Sequence, residues 1–174
     1  MWVPSLMLAN QGPIPTGLVF SAFMLSMTFG GMIFSLLLPI FPYESEGLSI
    51  FIYLLSAIAM FIPIYSFQFE SILFSFLILE AMVGMFNSCS GLLRSRYYPE
   101  GIQSSLMSLF RFPLNLLVVI GTNLANRAND APSLTFVFKI IVGMHLIAMG
   151  LQMSLLLVSQ KNKKQQKEKE SKQE

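Results

Sequence analysis

The chain has 174 residues, of which 54% are hydrophobic and only 11% charged, with sixteen Phe and twelve Met. A water-soluble domain carries charge on roughly a quarter of its residues, so this composition excludes an ordinary soluble fold and points to a chain solvated by lipid. The formal net charge of +2 says little, because most of the basic residues are crowded into the last segment.

In chain order, Met1-Trp2-Val3-Pro4 lacks a basic segment and a cleavage site, so it is no signal peptide and reads as the end of a helix. Residues 17–38 are uncharged over 22 positions, and residues 48–67 are uncharged as well. Residues 71–93 contain one ionisable group, Glu80; residues 105–124 contain Arg111; residues 134–158 contain Lys139 and His145. Each run is close to the roughly 20 residues that a helix needs to cross a hydrocarbon core of about 30 Å. None alternates with a period of two, which argues for helices over barrel strands. The expected fold is an all-α integral membrane protein with five transmembrane helices, at about 17–38, 48–67, 71–93, 105–124 and 134–158. Short connections at 39–47, 68–70 and 94–104 make neighbouring helices antiparallel and the bundle of residues 1–158 compact. The segment 159–174, QKNKKQQKEKESKQE after Ser159, reads as a solvated, disordered basic tail.

With the C-terminus in the cytoplasm, Arg94, Arg96 and the six tail lysines lie inside, against Arg127 and Lys139 outside. Inside positive charge of that kind sets the expected orientation of a multi-pass protein, here in the plasma membrane. The connection at 39–47 runs against it, with two glutamates and no base, but acidic residues weigh little in this rule. The tail anchors the topology and offers an electrostatic hold on anionic lipid.

Ionisable groups in a span are costly and usually face the bundle interior or water. On a helical wheel, Ser104, Ser108, Arg111, Asn115 and Thr122 form one polar stripe. Pro113 removes an amide beside the arginine and loosens the helix into a kink. Arg111 lies either about 10 Å inside the membrane or, if the helix begins later, at the interface by snorkelling. In the preceding span, Glu80, Gly84, Asn87, Ser88 and Gly91 share a face. Glu80 is open to three roles there: partner of Arg111, proton carrier, or structural hydrogen bonder. Ala22, Ser26 and Gly30 make a small-residue stripe for close helix packing. His145, Met149, Met153 and the lone Cys89 read as packing residues, and no metal or cofactor is called for. No nucleophile elbow, zinc-binding helix, phosphate loop or nucleic-acid stripe occurs, so an enzyme is not expected.

Three stretches resemble the C-terminal half of the major facilitator superfamily, and within it the molybdate-anion transporter family. They are Trp2-Val3-Pro4-Ser5-Leu6 with Gly12, Pro15-Thr16-Gly17 and Phe20-Ser21-Ala22-Phe23-Met24; then Leu79-Glu80-Ala81, Gly84-Met85-Phe86 and Ser88; then Arg94, Pro99, Glu100 and Phe110-Arg111-Phe112-Pro113-Leu114-Asn115. The resemblance implies that the five spans are helices eight to twelve, that the chain is a fragment lacking an N-terminal half, and that Met1 is an internal methionine. It also implies uptake of molybdate or a similar oxyanion by alternating access. The residues themselves imply an anion-compatible seam, with Arg111, Asn115 and Glu80 as binding or gating residues and Ser108, Thr122 and Asn87 in support. A carrier of a neutral solute such as a sugar, with Arg111 and Glu80 as a gate pair, and a non-transporting membrane subunit are the competing readings.

Overall fold

The computed structural model describes all residues but 42–43, 129 and 171–174, and no side chain at 44, 100, 125–126 or 166–170. Its elements are α1 (Trp2–Asn10), α2 (Thr16–Leu37), α3 (Glu44–Tyr65), α4 (Phe69–Tyr97), a 3₁₀ turn (Glu100–Ile102), α5 (Gln103–Arg127) and α6 (Ala131–Glu170). Five of them, α2 to α6, are long and apolar enough to cross a membrane. Helices extend past the apolar runs, because a charged residue ends a hydrophobic stretch without ending a helix. The segment expected to be a disordered tail from residue 159 is instead helical as far as Glu170, continuous with α6. At 40 residues and 1.5 Å per residue, α6 is about 60 Å long, so its basic end projects well beyond a hydrocarbon core.

Short α1 ends at Gln11, whose φ of 53° closes the helix in the left-handed region. Its Leu6 is fully buried, and Trp2 meets Phe23 edge-on at 5.3 Å. They belong to a core cluster with Val19, Phe76, Leu134 and Phe138 at one end of the bundle. A second cluster, built on Phe34, Leu48, Ile52, Met82, Met85 and Cys89, fills the other end.

Between the clusters α2 and α4 touch backbone to backbone. A Cβ on Gly30 would overlap the carbonyl of Ala81, and one on Gly84 would overlap the carbonyl of Met27. Each helix thus provides the gap that the other fills, and dispersion between the two backbones replaces side-chain packing. Ser26, on the same stripe, donates to the Leu77 carbonyl at 2.6 Å. The small-residue stripe in α2 is therefore a packing surface.

The α3–α4 contact has a polar counterpart. Pro63 lies inside α3 and has no N–H to offer the Ala59 carbonyl four residues earlier. Ser75 of α4, fully buried, donates to that carbonyl at 2.6 Å. A neighbouring hydroxyl satisfies the acceptor that proline orphans, as a span away from water requires.

By contrast α5 is loosely held. No residue from Gln103 to Leu124 is buried, and its main neighbours are the 3₁₀ turn and α6. Leu109, Phe112, Leu116 and Ile120 all expose apolar surface.

Gly84→Ala is expected to lower stability by more than about 3 kcal/mol, because backbone has to move. Gly143→Ala, with nothing within 4 Å of its Cβ, should be neutral or gain up to about 1 kcal/mol. Ser75→Ala should cost about 1–3 kcal/mol by leaving the Ala59 carbonyl unpaired. Denaturant titration of the purified chain in detergent measures all three.

Candidate functional site: a cavity between two arginines

A cavity lies where α4 ends and α5 begins. It has a volume of about 480 Å³ and is bounded by α3, α4, α5 and α6. From α4 come Phe86, Ser90, Leu93, Arg94 and Tyr97, one helical stripe at spacings of four, three, one and three. From α5 come Met107, Phe110, Arg111 and Leu114, again one stripe. Tyr53, Tyr98, Gln152 and Leu155 close the walls.

Among the described residues, two cations line this space and no carboxylate does. Arg94 Nη1 rests 3.6 Å from the Met107 sulfur, a weak acceptor. Arg111 makes no hydrogen bond or ion pair with any described residue. The Gln152 side-chain amide nitrogen is buried and has no hydrogen-bond partner among the described residues. Two guanidinium groups and an unsatisfied amide donor are set around one largely apolar space with no described anion among its lining residues. An oxyanion is the chemical complement, since it accepts from every donor and neutralises the charge.

The residues expected to form the site fall in several places. Arg111 lines the cavity, while Asn115, one turn further along α5, is exposed and outside its lining. Ser108 and Thr122 are exposed too, and Thr122 spends its hydroxyl on the Val118 carbonyl at 2.8 Å. Asn87 is exposed on α4. Pro113 sits within α5, which is helical on both sides of it. Glu80 is half-buried and, among the described residues, unpaired. It makes no ion pair with Arg111: the cavity's lining on α4 begins at Phe86, and Glu80 lies six residues before Phe86, about 9 Å away along the axis.

Two features escaped the sequence. The apolar runs place Arg94 in the connection 94–104, yet α4 continues to Tyr97 and carries it on the stripe that faces Arg111. Its spacing of eight from Phe86 was the available signal. The second feature surrounds Glu46, which α3 buries to 1% exposure in its first turn. Arg96 Nη1 donates to both carboxylate oxygens at 3.1 and 3.0 Å, and Tyr97 donates its hydroxyl at 2.6 Å. Ser45 at 3.1 Å and Ser159 of α6 at 3.4 Å complete the shell. The base missing from the acidic segment 39–47 is supplied by Arg96 in the last turn of α4. The cluster ties α3, α4 and α6 together, and Tyr97 belongs both to it and to the cavity wall.

These helices and their lipid-matched exteriors define an integral, multi-pass membrane protein. The profile of the major facilitator superfamily matches residues 2–174, and the chain belongs to that family. It stands with membrane transporters and not with enzymes. A molybdate-anion transporter of Xenopus tropicalis is 28% identical over 130 residues, which is 70% of this chain and 27% of that protein. The chain thus spans about a quarter of the length of this curated relative. No solved structure matches it.

Arg96→Ala should cost about 2–3 kcal/mol, below the ~3–5 of a fully buried pair because Arg96 keeps 34% of its side-chain surface exposed. Adding Glu46→Gln to that variant should restore part of the loss, since the uncompensated charge is then gone. Thermal unfolding of the single and double variants checks this.

Proposed function

We infer that this chain works in a transporter of molybdate or a similar tetrahedral oxyanion. The observation that carries the reading is the pair of arginines, Arg94 and Arg111, on facing stripes of a cavity that no carboxylate lines among the described residues. A dianion entering low dielectric needs fixed positive charge, and guanidinium offers a planar fork of donors that matches two oxyanion oxygens at once. The molybdate-anion transporter relative supports the cargo.

Alternating access rocks one helix bundle against another around a central site. In this reading the helices correspond to the last five of such a carrier, and an N-terminal half forms the second wall. The loosely held α5 faces that half, and Asn115 meets the anion as it passes Arg111, with Ser108 and Thr122 along the same seam. Glu80, half-buried and unpaired, serves as the proton carrier that couples uptake to a gradient. The carrier resides in the plasma membrane with its C-terminus in the cytoplasm. The Arg111–Glu80 gate pair of a sugar carrier draws no support from the arrangement, because the two residues are not in contact.

Arg111→Lys keeps the charge and loses the fork, so radiolabelled molybdate uptake by the complete transporter should fall about tenfold or more at equal membrane abundance, equivalent to ~1.4 kcal/mol. Sulfate should compete with the label and hexose should not. Undiminished uptake by the lysine variant would show that Arg111 serves only as an anchor at the interface.

A further inference from the structure

The Arg94–Arg111 cavity is much larger than a bare tetrahedral oxyanion requires, and most of its wall is apolar. Phe86, Leu93, Met107, Phe110, Leu114 and Leu155 make a continuous hydrocarbon-like surface. A small, strongly hydrated dianion gains nothing from such a wall, since burying it beside apolar groups removes water without returning hydrogen bonds. The polar groups lie among this surface: Arg94 in the last turn of α4, Arg111 about 12 Å along α5 from Gln103, and the buried Gln152 amide. One side of the space is α5 itself, which has no buried residue before its last turn and presents apolar side chains outward. The space therefore lies behind a single, loosely packed helix.

We propose that this cavity is a binding site for an anionic phospholipid. The phosphate sits between the Arg94 and Arg111 guanidinium groups and accepts from Gln152, and an acyl chain lies along Phe86, Phe110, Leu114 and Leu155. Both parts of the wall are then used, the donors by the phosphate and the apolar surface by the chain. Arg94, close to the end of its helix, is where a headgroup meets the protein, and arginine near a helix end reaches toward the headgroup layer. The proposal rests on the oxyanion reading of the same arginines and deepens it: the lipid phosphate and the free oxyanion share the two cations. Lipid occupancy opposes cargo binding, and the anionic lipid content of the membrane regulates the carrier.

The test uses the full chain reconstituted in phosphatidylcholine vesicles with and without phosphatidic acid, extracted gently, and weighed with its retained lipid by native mass spectrometry. Phosphatidic acid should be retained several-fold over phosphatidylcholine. Arg94→Gln and Arg111→Gln should each abolish that preference, and Phe110→Ser should weaken it. Arg127→Gln removes one positive charge at the other end of α5 and should leave the preference intact, which separates a site from general electrostatic attraction. Equal loss in Arg127→Gln, or no preference in the parent chain, overturns the proposal. Molybdate binding to the chain in pure phosphatidylcholine is measured in parallel. If it depends on Arg111 while phosphatidic acid is not retained, the lipid site is refuted and the oxyanion cargo stands. If phosphatidic acid is retained through both arginines and molybdate does not bind, the lipid site is confirmed and the cargo reading fails. Displacement of retained phosphatidic acid by molybdate confirms that they share the cations.

Discussion

Inside a bilayer a polar group has no water to turn to, so each one must find a partner within the protein or be costly. That constraint organises this structure. The Ala59 carbonyl, released by Pro63, takes the Ser75 hydroxyl; Ser26 caps the Leu77 carbonyl; Glu46 collects donors from four side chains on three helices. Where the rule holds, helices are fixed to one another. At Arg111 and the Gln152 amide it does not hold among the described residues, and at Arg94 it is met only by the Met107 sulfur; these three groups surround one cavity, while Glu80, also unpaired, lies outside it.

Packing follows a second consequence of the same solvent. Lipid offers no hydrophobic drive for helices to associate, so contact depends on close fit. Gly30 and Gly84 bring two backbones together and hold α4 as the central helix, against α2 on one side and α3 on another. Arg94 and Arg96 are carried at the end of this rigid helix, one turned to the cavity and the other to Glu46. Tyr97 joins the two environments, so a change in the ion-pair cluster alters the cavity wall directly. The opposite wall is α5, whose few contacts leave it free to adjust.

Much of this was legible in the sequence. Five uncharged or nearly uncharged runs near the length of a bilayer span specify helices almost without regard to side-chain detail, and the family resemblance agreed with them. The stripe containing Gly30 was readable because small residues four apart have one recurrent use in membranes. Arg111 stood out as an arginine within a span. What was not legible was partnership across helices. Hydropathy ends a segment at its first charge, so Arg94 and Glu46 were assigned to connections, although both are helical and turned inward. The tail was misread for a related reason: Lys, Glu and Gln are polar yet good helix formers, and a helix already running through the membrane extends into them without a new nucleation cost. The polar stripe on α5 was sound as a wheel pattern, but a wheel shows only which residues share a face. Arg111, itself exposed, lines the cavity, while Asn115 and Thr122 are exposed outside its lining.

The central claim is that Arg94 and Arg111 hold one anion between them. A double-mutant cycle on molybdate binding by the complete transporter tests it most directly, using Arg94→Gln, Arg111→Gln and the pair. Two cations sharing one ligand lose their cooperation when either is removed, so the double variant should bind only slightly more weakly than each single one, with a coupling of about 1–3 kcal/mol. Strictly additive losses, or no loss from Arg94→Gln, would show that the two arginines act on separate ligands and would contradict the shared site.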